Sequence, residues 1–346
     1  MPAAGAGSSV KGDVLSSWAD GFAAMAAFQT ARSALGALLR QRQVRRTWLP
    51  AFICANLADG AVGSGGEVAF YRVGPDLVVD ADALSEALRP DDAVVGVDFF
   101  GFIDPGIGDL VRRFDDLLWI EDRAQALEPG PAWGRVLLYS PRKLFGVADG
   151  GLLFANGPLP EPTEPADEGV WRPEDARAAD RNGAEPQQWY PLFRAREAAF
   201  EVSGAAATSR TLTALRAIPV GPEAEARRRN WNALRTQLAD YALWPQRHPD
   251  AVPLAFPIVV SDAAEVQRRL AAERIWAPRH WADLPSPPDL FPDAAALAAR
   301  LISLPCDSRY DAEDMARVAG AVRRVASPHP QIDSRKGTAR PPGPTR

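Results

Sequence analysis

One lysine stands apart in this sequence because of its type and its surroundings. The chain has 36 arginines and only three lysines, and two of those, Lys11 and Lys336, lie near the ends of the chain. The third, Lys143, lies in the stretch SPRKLFGVADGG, shortly before a pair of glycines. Arginine keeps its proton in proteins, whereas a desolvated lysine amine can lose its proton and attack a carbonyl carbon. The residue types therefore favour Lys143 as a nucleophile; the alternative is a lysine that survives by chance at an exposed turn.

Two acids end an apolar stretch upstream of this lysine. Glu121 and Asp122 close the stretch DLLWIED, and Gln125 follows three residues later. The carboxyl ends of strands in an open α/β sheet are where ligands bind. A carboxylate there could hold a protonated heterocyclic nitrogen, as pyridoxal phosphate requires, and Gln125 could bond to an oxygen on the same ring. The alternative is that Asp122 only caps a helix that begins in RAQAL.

The segments that carry these residues alternate between strand and helix patterns. Helical periodicity predicts helices at 22–42 and 81–88, with more helix-forming sequence at 191–242. Apolar runs bounded by glycine, proline or charge predict strands, several of them buried on both faces, at 47–54, 67–73, 92–100, 116–122, 134–140 and 150–156. This alternation is typical of an α/β domain around a mainly parallel sheet.

A smaller α/β unit is predicted in the C-terminal part. Its strands are expected at 252–260 and 301–307, and its helices at 263–273 and 312–325. The predicted organisation is a flexible N-terminus (1–15), a large domain (16–225), a small domain (226–326) and a disordered tail (327–346). The proline- and acid-rich segment 157–187 is expected to be a surface excursion of the large domain or a linker.

Composition narrows the classes of partner. The formal net charge of −5 argues against nucleic acid, and the basic run at 226–231 is interpreted as a solvated helix face. Three scattered histidines and two separate cysteines predict no metal site and no disulfide. No run approaches the roughly 18 apolar residues of a membrane span, and no signal-peptide core is present. These features predict a cytoplasmic protein.

The order of three stretches, IEDRAQAL, SPRKLFGVADGG and LLFAN, resembles the DegT/DnrJ/EryC1/StrS aminotransferases. The similarity extends over roughly 20–325, with a weak middle at 157–220. It implies a fold-type-I enzyme that uses pyridoxal phosphate to aminate keto sugars on nucleotide carriers, in polysaccharide or secondary-metabolite biosynthesis. It also implies a homodimer with active sites at the subunit interface.

The resemblance assigns roles to individual residues. Lys143 would carry the cofactor as the catalytic residue, Asp122 would hold its pyridine nitrogen, and Gln125 would bond to its ring oxygen. The cofactor's phosphate would be held by three residues, namely Arg32, Ser33 and Ser140.

Several positions depart from the family pattern. Arg32 replaces a threonine of the phosphate-binding turn, so 30–35 could instead be ordinary helix with Arg32 on the surface. Ser140 lies three residues before the lysine instead of five. Cys54 stands where an aromatic side chain usually stacks on the cofactor; Phe52 or Phe100 could stack instead, or both could be plain core.

These departures leave two other classes open. One is a divergent member of the family that binds the cofactor without transaminating, and the other is an α/β binding protein with no cofactor. Four tryptophans in or beside predicted loops give modest support for the homodimer, because tryptophan is enriched at interfaces. The alternative is that they cover the protein's own core. They are Trp171, Trp189, Trp276 and Trp281.

Overall fold

The computed structural model describes residues 12–128, 130–180, 186–246 and 251–328. The strands in this part of the chain are β1 (Ala24–Phe28), β2 (Arg46–Pro50), β3 (Glu67–Tyr71), β4 (Asp92–Val97), β5 (Leu118–Asp122), β6 (Val136–Tyr139), β7 (Gly151–Ala155), β8 (Ala255–Val259) and β9 (Leu301–Pro305). The α-helices are α1 (Val14–Ala19), α2 (Ala31–Gln41), α3 (Ala55–Val62), α4 (Ala81–Ala87), α5 (Ile107–Arg113), α6 (Arg172–Ala179), α7 (Pro186–Ala199), α8 (Ser209–Ala217), α9 (Val220–Gln237), α10 (Ala263–Ala272), α11 (Pro292–Ala298) and α12 (Ala312–Val325). Short 3₁₀ turns occur at Phe99–Gly101, Pro141–Lys143 and Glu168–Trp171.

The first seven strands form one sheet in the order β1-β7-β6-β5-β4-β2-β3. Strands β2 to β6 run parallel to their neighbours within this group, and β7 runs antiparallel to both β6 and β1. Every residue of β4, β6 and β7 is buried, which explains their continuous apolar sequences. The predicted α/β class with a mainly parallel sheet is confirmed.

The predicted helix at 22–42 is wrong in its first part. Residues Ala24–Phe28 form β1, which pairs with β7, and α2 begins only at Ala31. Alanine favours helix, but hydrogen bonding to β7 overrides this local preference. Thr30 has extended backbone and accepts a hydrogen bond from Ser33 N, so it caps α2 and separates the two elements.

The C-terminal part forms a second, two-stranded antiparallel sheet from β8 and β9, close to the predicted strands. Helix α10 packs against β9, α12 packs against α9 and α10, and both helices bury their apolar faces. The predicted boundary at 225–226 falls inside α9, and α1 begins within the predicted flexible N-terminus. Residues 329–346 lie outside the described residues. The domain limits stay a prediction.

The basic run at 226–231 is not a solvated face, contrary to its interpretation from sequence. Arg227 is only 2% exposed and is among the largest fully buried side chains of the described residues. Asn230 and Trp231 are buried on the same helix, whereas Arg229 is exposed. The periodicity was helical, but the buried stripe of α9 includes an arginine.

None of the helices in the described residues is long and apolar enough to cross a membrane.

Candidate active site

Lys143 follows the carboxyl end of β6, in a 3₁₀ turn that Pro141 begins. Its backbone N–H donates to Ser140 O at 3.1 Å, and its side chain is exposed. Proline suits this position because its fixed φ fits the first residue of a helical turn. The turn stops the strand abruptly, so the amine projects at the sheet edge where ligands bind in α/β folds. Ser140 itself is buried, next to the lysine turn.

Asp122 is the last residue of β5, the strand beside β6. Its side chain is 4% exposed, and Oδ1 accepts a hydrogen bond from Ala124 N at 2.8 Å. Burial raises the pKa of Asp122, while the nearby positive charge of Lys143 opposes that rise. A turn, not a helix, follows at residues 124 and 125, so the helix-cap alternative is wrong. The structure therefore brings the predicted lysine and carboxylate together.

Gln125 is also buried beside this edge. Its Oε1 accepts a hydrogen bond from Phe100 N at 2.8 Å, in the 3₁₀ turn after β4. Phe100 has φ of 55°, a conformation that is uncommon for a side chain of this size and that this hydrogen bond helps to hold. Since the oxygen of Gln125 is used in this way, its amide nitrogen is the group that could meet a ring oxygen.

Two glycines bring α2 to the same edge of the sheet. A Cβ on Gly151 would lie 2.1 Å from Thr30 O, so only glycine lets β7 approach the start of α2 this closely. Gly150 has φ of +117° and donates its N–H to Gln29 O at 2.7 Å. The preceding Asp149 is buried and accepts a hydrogen bond from Thr208 N, which fixes the start of α8. These residues explain why the motif needs an acid and two glycines.

Arg32 and Ser33 lie in the first turn of α2 but already have partners. Arg32 Nη1 donates to Phe200 O at 2.9 Å. The Ser33 hydroxyl donates to Glu201 O at 3.3 Å and accepts from Thr30 Oγ1 at 2.9 Å. Both side chains are buried, so the alternative of Arg32 on the surface is wrong. As a phosphate ligand, Ser33 would first have to release its hydroxyl hydrogen from residue 201.

A second arginine stands close to Arg32. Burial lowers the pKa of Arg32, and the positive charge of Arg142 lowers it further. Arg142 forms an ion pair with Glu197, and its guanidinium lies 4.9 Å from the ring centroid of Phe200. Two like charges at a helix N-terminus are a favourable environment for an anion. Arg142 was not predicted from the sequence as a site residue, because the chemistry of this stretch was assigned to the adjacent Lys143.

The aromatic side chain nearest the lysine amine comes from the C-terminal part of the chain. Lys143 Nζ lies 5.7 Å from the ring centroid of Trp281. The neighbouring His280 shares a 2.7 Å hydrogen bond between Nδ1 and Ser303 Oγ. Burial and the positive charge of Lys143 lower the pKa of His280 to about 4, so this imidazole is neutral near pH 7. Sequence analysis missed both residues as site residues, although the stretch that contains them was recognised as part of the small domain.

The candidates for a stacking aromatic are core residues. Phe52 and Phe100 are fully buried, and their rings contact Trp281 and His280 respectively. Cys54 is half-buried, and its thiol lies near the guanidinium of Arg32. Trp281 is thus the ring that faces the lysine, with Phe52 behind it.

The Glu121 side chain lies on the opposite face of β5 from Asp122 and does not belong to the group of residues around Lys143. It pairs with Arg123 at 2.5 Å and accepts hydrogen bonds from the backbone N–H groups of Trp133 and Gly134, each at 2.8 Å. Asp98 lies beside this pair, and its Oδ2 is buried with no hydrogen-bond partner. The alternation of side chains along a strand explains why adjacent acids have separate surroundings.

Among the described residues no group of histidine, cysteine, aspartate or glutamate side chains could hold a metal ion.

The fold of the chain is similar to that of several solved structures. A DegT DnrJ EryC1 StrS aminotransferase from Brucella abortus is 20% identical over 90% of this chain and 87% of its own, with a TM-score of 0.64. The chain therefore has the fold of these aminotransferases. A putative sugar aminotransferase from Streptococcus pneumoniae in its PLP form is 14% identical, over 90% of this chain and 88% of its own, at a TM-score of 0.66. The sugar aminotransferase CalS13 from Micromonospora echinospora is 17% identical, over 90% and 89%, at 0.62.

These similarities establish the fold-type-I architecture predicted from the sequence. No family model matches the sequence, and no curated protein matches it. At identities of 14% to 20% the fold is retained while most side chains have changed.

The residues of this site fit pyridoxal phosphate. The Oδ2 atom of Asp122 has no hydrogen-bond donor among the described residues, so a protonated ring nitrogen could bond to it. The lysine needed for covalent attachment comes from the same edge of the sheet, since Asp122 pairs with Leu138 of β6 and Lys143 lies in the turn directly after that strand. Arg32 and Arg142 supply positive charge at the start of α2 for a phosphate group.

Proposed function

We propose that this chain is a pyridoxal-phosphate-dependent aminotransferase that acts on the keto sugar of a nucleotide sugar or on a similar carbonyl compound. The observation that carries the proposal is that Lys143 and the buried Asp122 lie at the carboxyl ends of two neighbouring parallel strands: Asp122 pairs with Leu138 of β6, and Lys143 is in the turn that follows β6. Two of the similar structures are described as sugar aminotransferases, one of them only putatively, and this supports the substrate class.

Pyridoxal phosphate supplies, when bound, an aldehyde carbon for amine exchange and a ring that withdraws electrons from it. The Lys143 amine would hold the cofactor at that carbon until an amino donor displaces it. Once free, the same amine would move a proton between the substrate carbon and the C4′ carbon of the cofactor. An arginine could not perform this step because it stays protonated.

Asp122 would keep the ring nitrogen protonated. A buried carboxylate is costly unless a positive group faces it, and burial raises the pKa of Asp122 accordingly. A protonated ring nitrogen would provide that positive group. The amide nitrogen of Gln125 would donate to the ring oxygen, and the phosphate would lie near Arg32 and Ser140.

Trp281 and His280 would shape the substrate side of the site. The ring centroid of the Trp281 indole lies 5.7 Å from the lysine amine, so this side chain would line one side of the site. His280 is neutral, so it can donate or accept a hydrogen bond without adding charge next to Lys143.

A second candidate is a protein that binds the cofactor without transaminating. Three observations favour it: Cys54 replaces the stacking aromatic, Phe200 O accepts from Arg32, and Glu201 O accepts from Ser33. Under this alternative the cofactor would still be attached to Lys143, but an amino donor would leave its absorbance spectrum unchanged.

Borohydride reduction with cofactor supplied, followed by peptide mapping, tests the proposal. The pyridoxyl mass is expected on the peptide that contains Lys143, and with three lysines in the chain the assignment is unambiguous. The variant Lys143→Arg keeps the charge, cannot form the link and serves as the control. Label on another residue, or no label in the wild type, would refute the proposal. Screening amino acids for a spectral change then separates the two candidates.

The biological setting is proposed on the same basis. A keto-sugar aminotransferase would act in polysaccharide or secondary-metabolite biosynthesis, in the cytoplasm where nucleotide sugars are made. We further propose a homodimer, in which the neighbouring chain completes each site. The tryptophans support the homodimer only in part. Trp276 is 73% exposed and is available for an interface. Trp171 is buried and donates to Thr208 Oγ1, and Trp281 belongs to the candidate site, so neither gives such support.

A further inference from the structure

Arg227 is a fully buried arginine that reaches the turn carrying Lys143. Its Nη2 donates to Leu144 O at 2.9 Å, directly after the lysine. Its Nη1 donates to Pro253 O at 3.2 Å and Leu254 O at 3.0 Å, just before β8. One guanidinium thus connects α9, the approach to β8 and the lysine turn. A planar fork of donors can bond in several fixed directions at once, which a lysine ammonium on a flexible stem cannot reproduce.

The charge of Arg227 is balanced where it lies. Its Nε donates to Glu223 Oε1 at 2.6 Å, one helical turn earlier on α9. Its positive charge also helps to lower the pKa of Asp307, although that carboxylate has its own hydrogen bonds from Arg309 at 2.7 and 2.9 Å. Burying a guanidinium is costly, and this one is compensated by one acid and three carbonyl oxygens.

The Nη1 atom of Arg227 is linked by hydrogen bonds to Gln125, on the other side of the candidate site. Leu254 N donates to Phe100 O at 3.2 Å, and Phe100 N donates to Gln125 Oε1 at 2.8 Å. The guanidinium is therefore connected to Gln125 through the backbones of Leu254 and Phe100, and it bonds to the carbonyl of Leu144, the residue directly after Lys143.

The lysine turn needs such a support. Its own backbone hydrogen bonds, from Lys143 N to Ser140 O at 3.1 Å and from Leu144 N and Phe145 N to Pro141 O at 3.0 and 2.9 Å, fix the shape of the turn but not its position relative to Gln125. The Lys143 side chain is exposed. A long side chain on a short turn has an amine position that depends on the backbone from which it extends. A misplacement of about 1 Å at a reacting group can cost about 10²-fold in rate.

We infer that Arg227 is a positioning residue for Lys143, which holds the lysine turn at the distance from Gln125 that covalent capture of the cofactor requires. The inference rests on the proposed function. In the capture step the Lys143 amine bonds to the aldehyde carbon, and the aldehyde oxygen leaves as water, so no oxidant or reductant is needed.

The test compares covalent capture with non-covalent binding in the cofactor-free protein. Pyridoxal 5′-phosphate can be captured by the amine, whereas its alcohol analogue, pyridoxine 5′-phosphate, can only occupy the site. The double variant Glu223→Gln/Arg227→Met removes both charges of the buried pair and the hydrogen bond to Leu144 O. Arg228→Met is the matched control, because Arg228 is the next residue of α9, is 38% exposed and pairs with Glu128.

We expect the double variant to bind the alcohol within about 3-fold of the wild type and to lose about 10-fold or more in the borohydride-trapped fraction per unit time. The control should match the wild type with both compounds. Equal capture, or an equal loss with both compounds, would overturn the inference, since a general structural role weakens both. If the double variant lacks the wild-type circular dichroism, Arg227→Lys replaces it, with the same criteria.

Failure of the proposed function would be visible in the wild type alone. There the label would be absent from Lys143, or neither compound would bind. That result would remove the basis of the inference before any variant is compared.

Discussion

The buried carboxyl group of Asp98, which lies beside Glu121 and Arg123, allows a test of how burial affects stability as the pH changes. Its side chain is fully buried; Oδ1 accepts from Trp133 Nε1 at 3.1 Å, and Oδ2 lies 3.7 Å from Arg123 Nε. The same Nε donates to Glu121 at 2.5 Å, so two carboxyl groups share one guanidinium. Burial raises the pKa of Asp98 well above 3.8; the charge of Glu121 raises it further, and Arg123 opposes both. Asp98 therefore keeps its proton in the folded protein at pH values where the unfolded chain has lost it.

The sign of the pH effect follows from this difference. Above pH 3.8 the folded state binds one proton more than the unfolded state, so the free energy of unfolding falls as pH rises. The fall is about 1.4 kcal/mol per pH unit until the folded pKa is reached, and it then stops. Asp98→Asn has the shape of the protonated acid and never ionises, so it escapes this loss. Relative to wild type, the variant should gain nothing near pH 4 and at most about 3 kcal/mol at pH 6.

Urea unfolding of the cofactor-free proteins between pH 4 and pH 7 measures this gain. Asp92→Asn is the control, because Asp92 at the start of β4 is buried like Asp98 but accepts hydrogen bonds from the Arg46 side chain at 3.1 and 2.8 Å. Losing those charge-assisted bonds should destabilise the control throughout the range. A difference between Asp98→Asn and wild type that does not grow with pH, or a variant less stable than wild type at pH 6, would refute the reasoning.

Three further outcomes are expected. Asp122→Asn should keep the cofactor but slow single-turnover transamination by about 10²-fold or more, about 3 kcal/mol, since a charged partner of the ring nitrogen is lost; near-normal turnover would contradict this role. The pKa of His280 is lowered from 6.5 to about 4, so the wild type loses up to about 3 kcal/mol of stability as the pH falls through that window. His280→Gln should remove this loss, and melting curves at pH 4 to 7 should show the variant losing less stability than the wild type. Light scattering behind a sizing column should give a mass near twice 37.3 kDa, and an active monomer would exclude the proposed homodimer.

The parts of the fold that were predictable are those with continuous apolar sequence. Strands β6 and β7 are buried on both faces and are visible as uninterrupted apolar runs, while β4 and β5 show apolar runs with acids only at one end. Strand β1 was predicted as helix because Ala-Met-Ala-Ala-Phe lacks such a signal; its pairing with β7 depends on residues far along the chain.

The candidate site also contains residues that could be predicted from the sequence and residues that could not. Lys143 and Asp122 could be proposed as site residues because one ends a strand and the other follows the neighbouring strand, and because their chemistry is local to two short motifs. Trp281, His280 and Arg227 reach the site from later segments, and no sequence spacing relates them to the lysine. Arg227 was interpreted as solvated because a run of arginines does not show which one finds carbonyl oxygens inside the protein.

The docking of the N-terminal segment has a consequence for how the chain folds during synthesis. Trp18 of α1 donates to Leu127 O, 109 residues later, and stacks on Tyr139 at 4.2 Å; Val14 N donates to Ile218 O. The first helix and β1 therefore leave the ribosome long before their partners exist. Contacts of such high sequence separation slow folding. We expect α1 and β1 to become protected from hydrogen exchange only after β6 and β7, so the part of the protein that is made first is completed last.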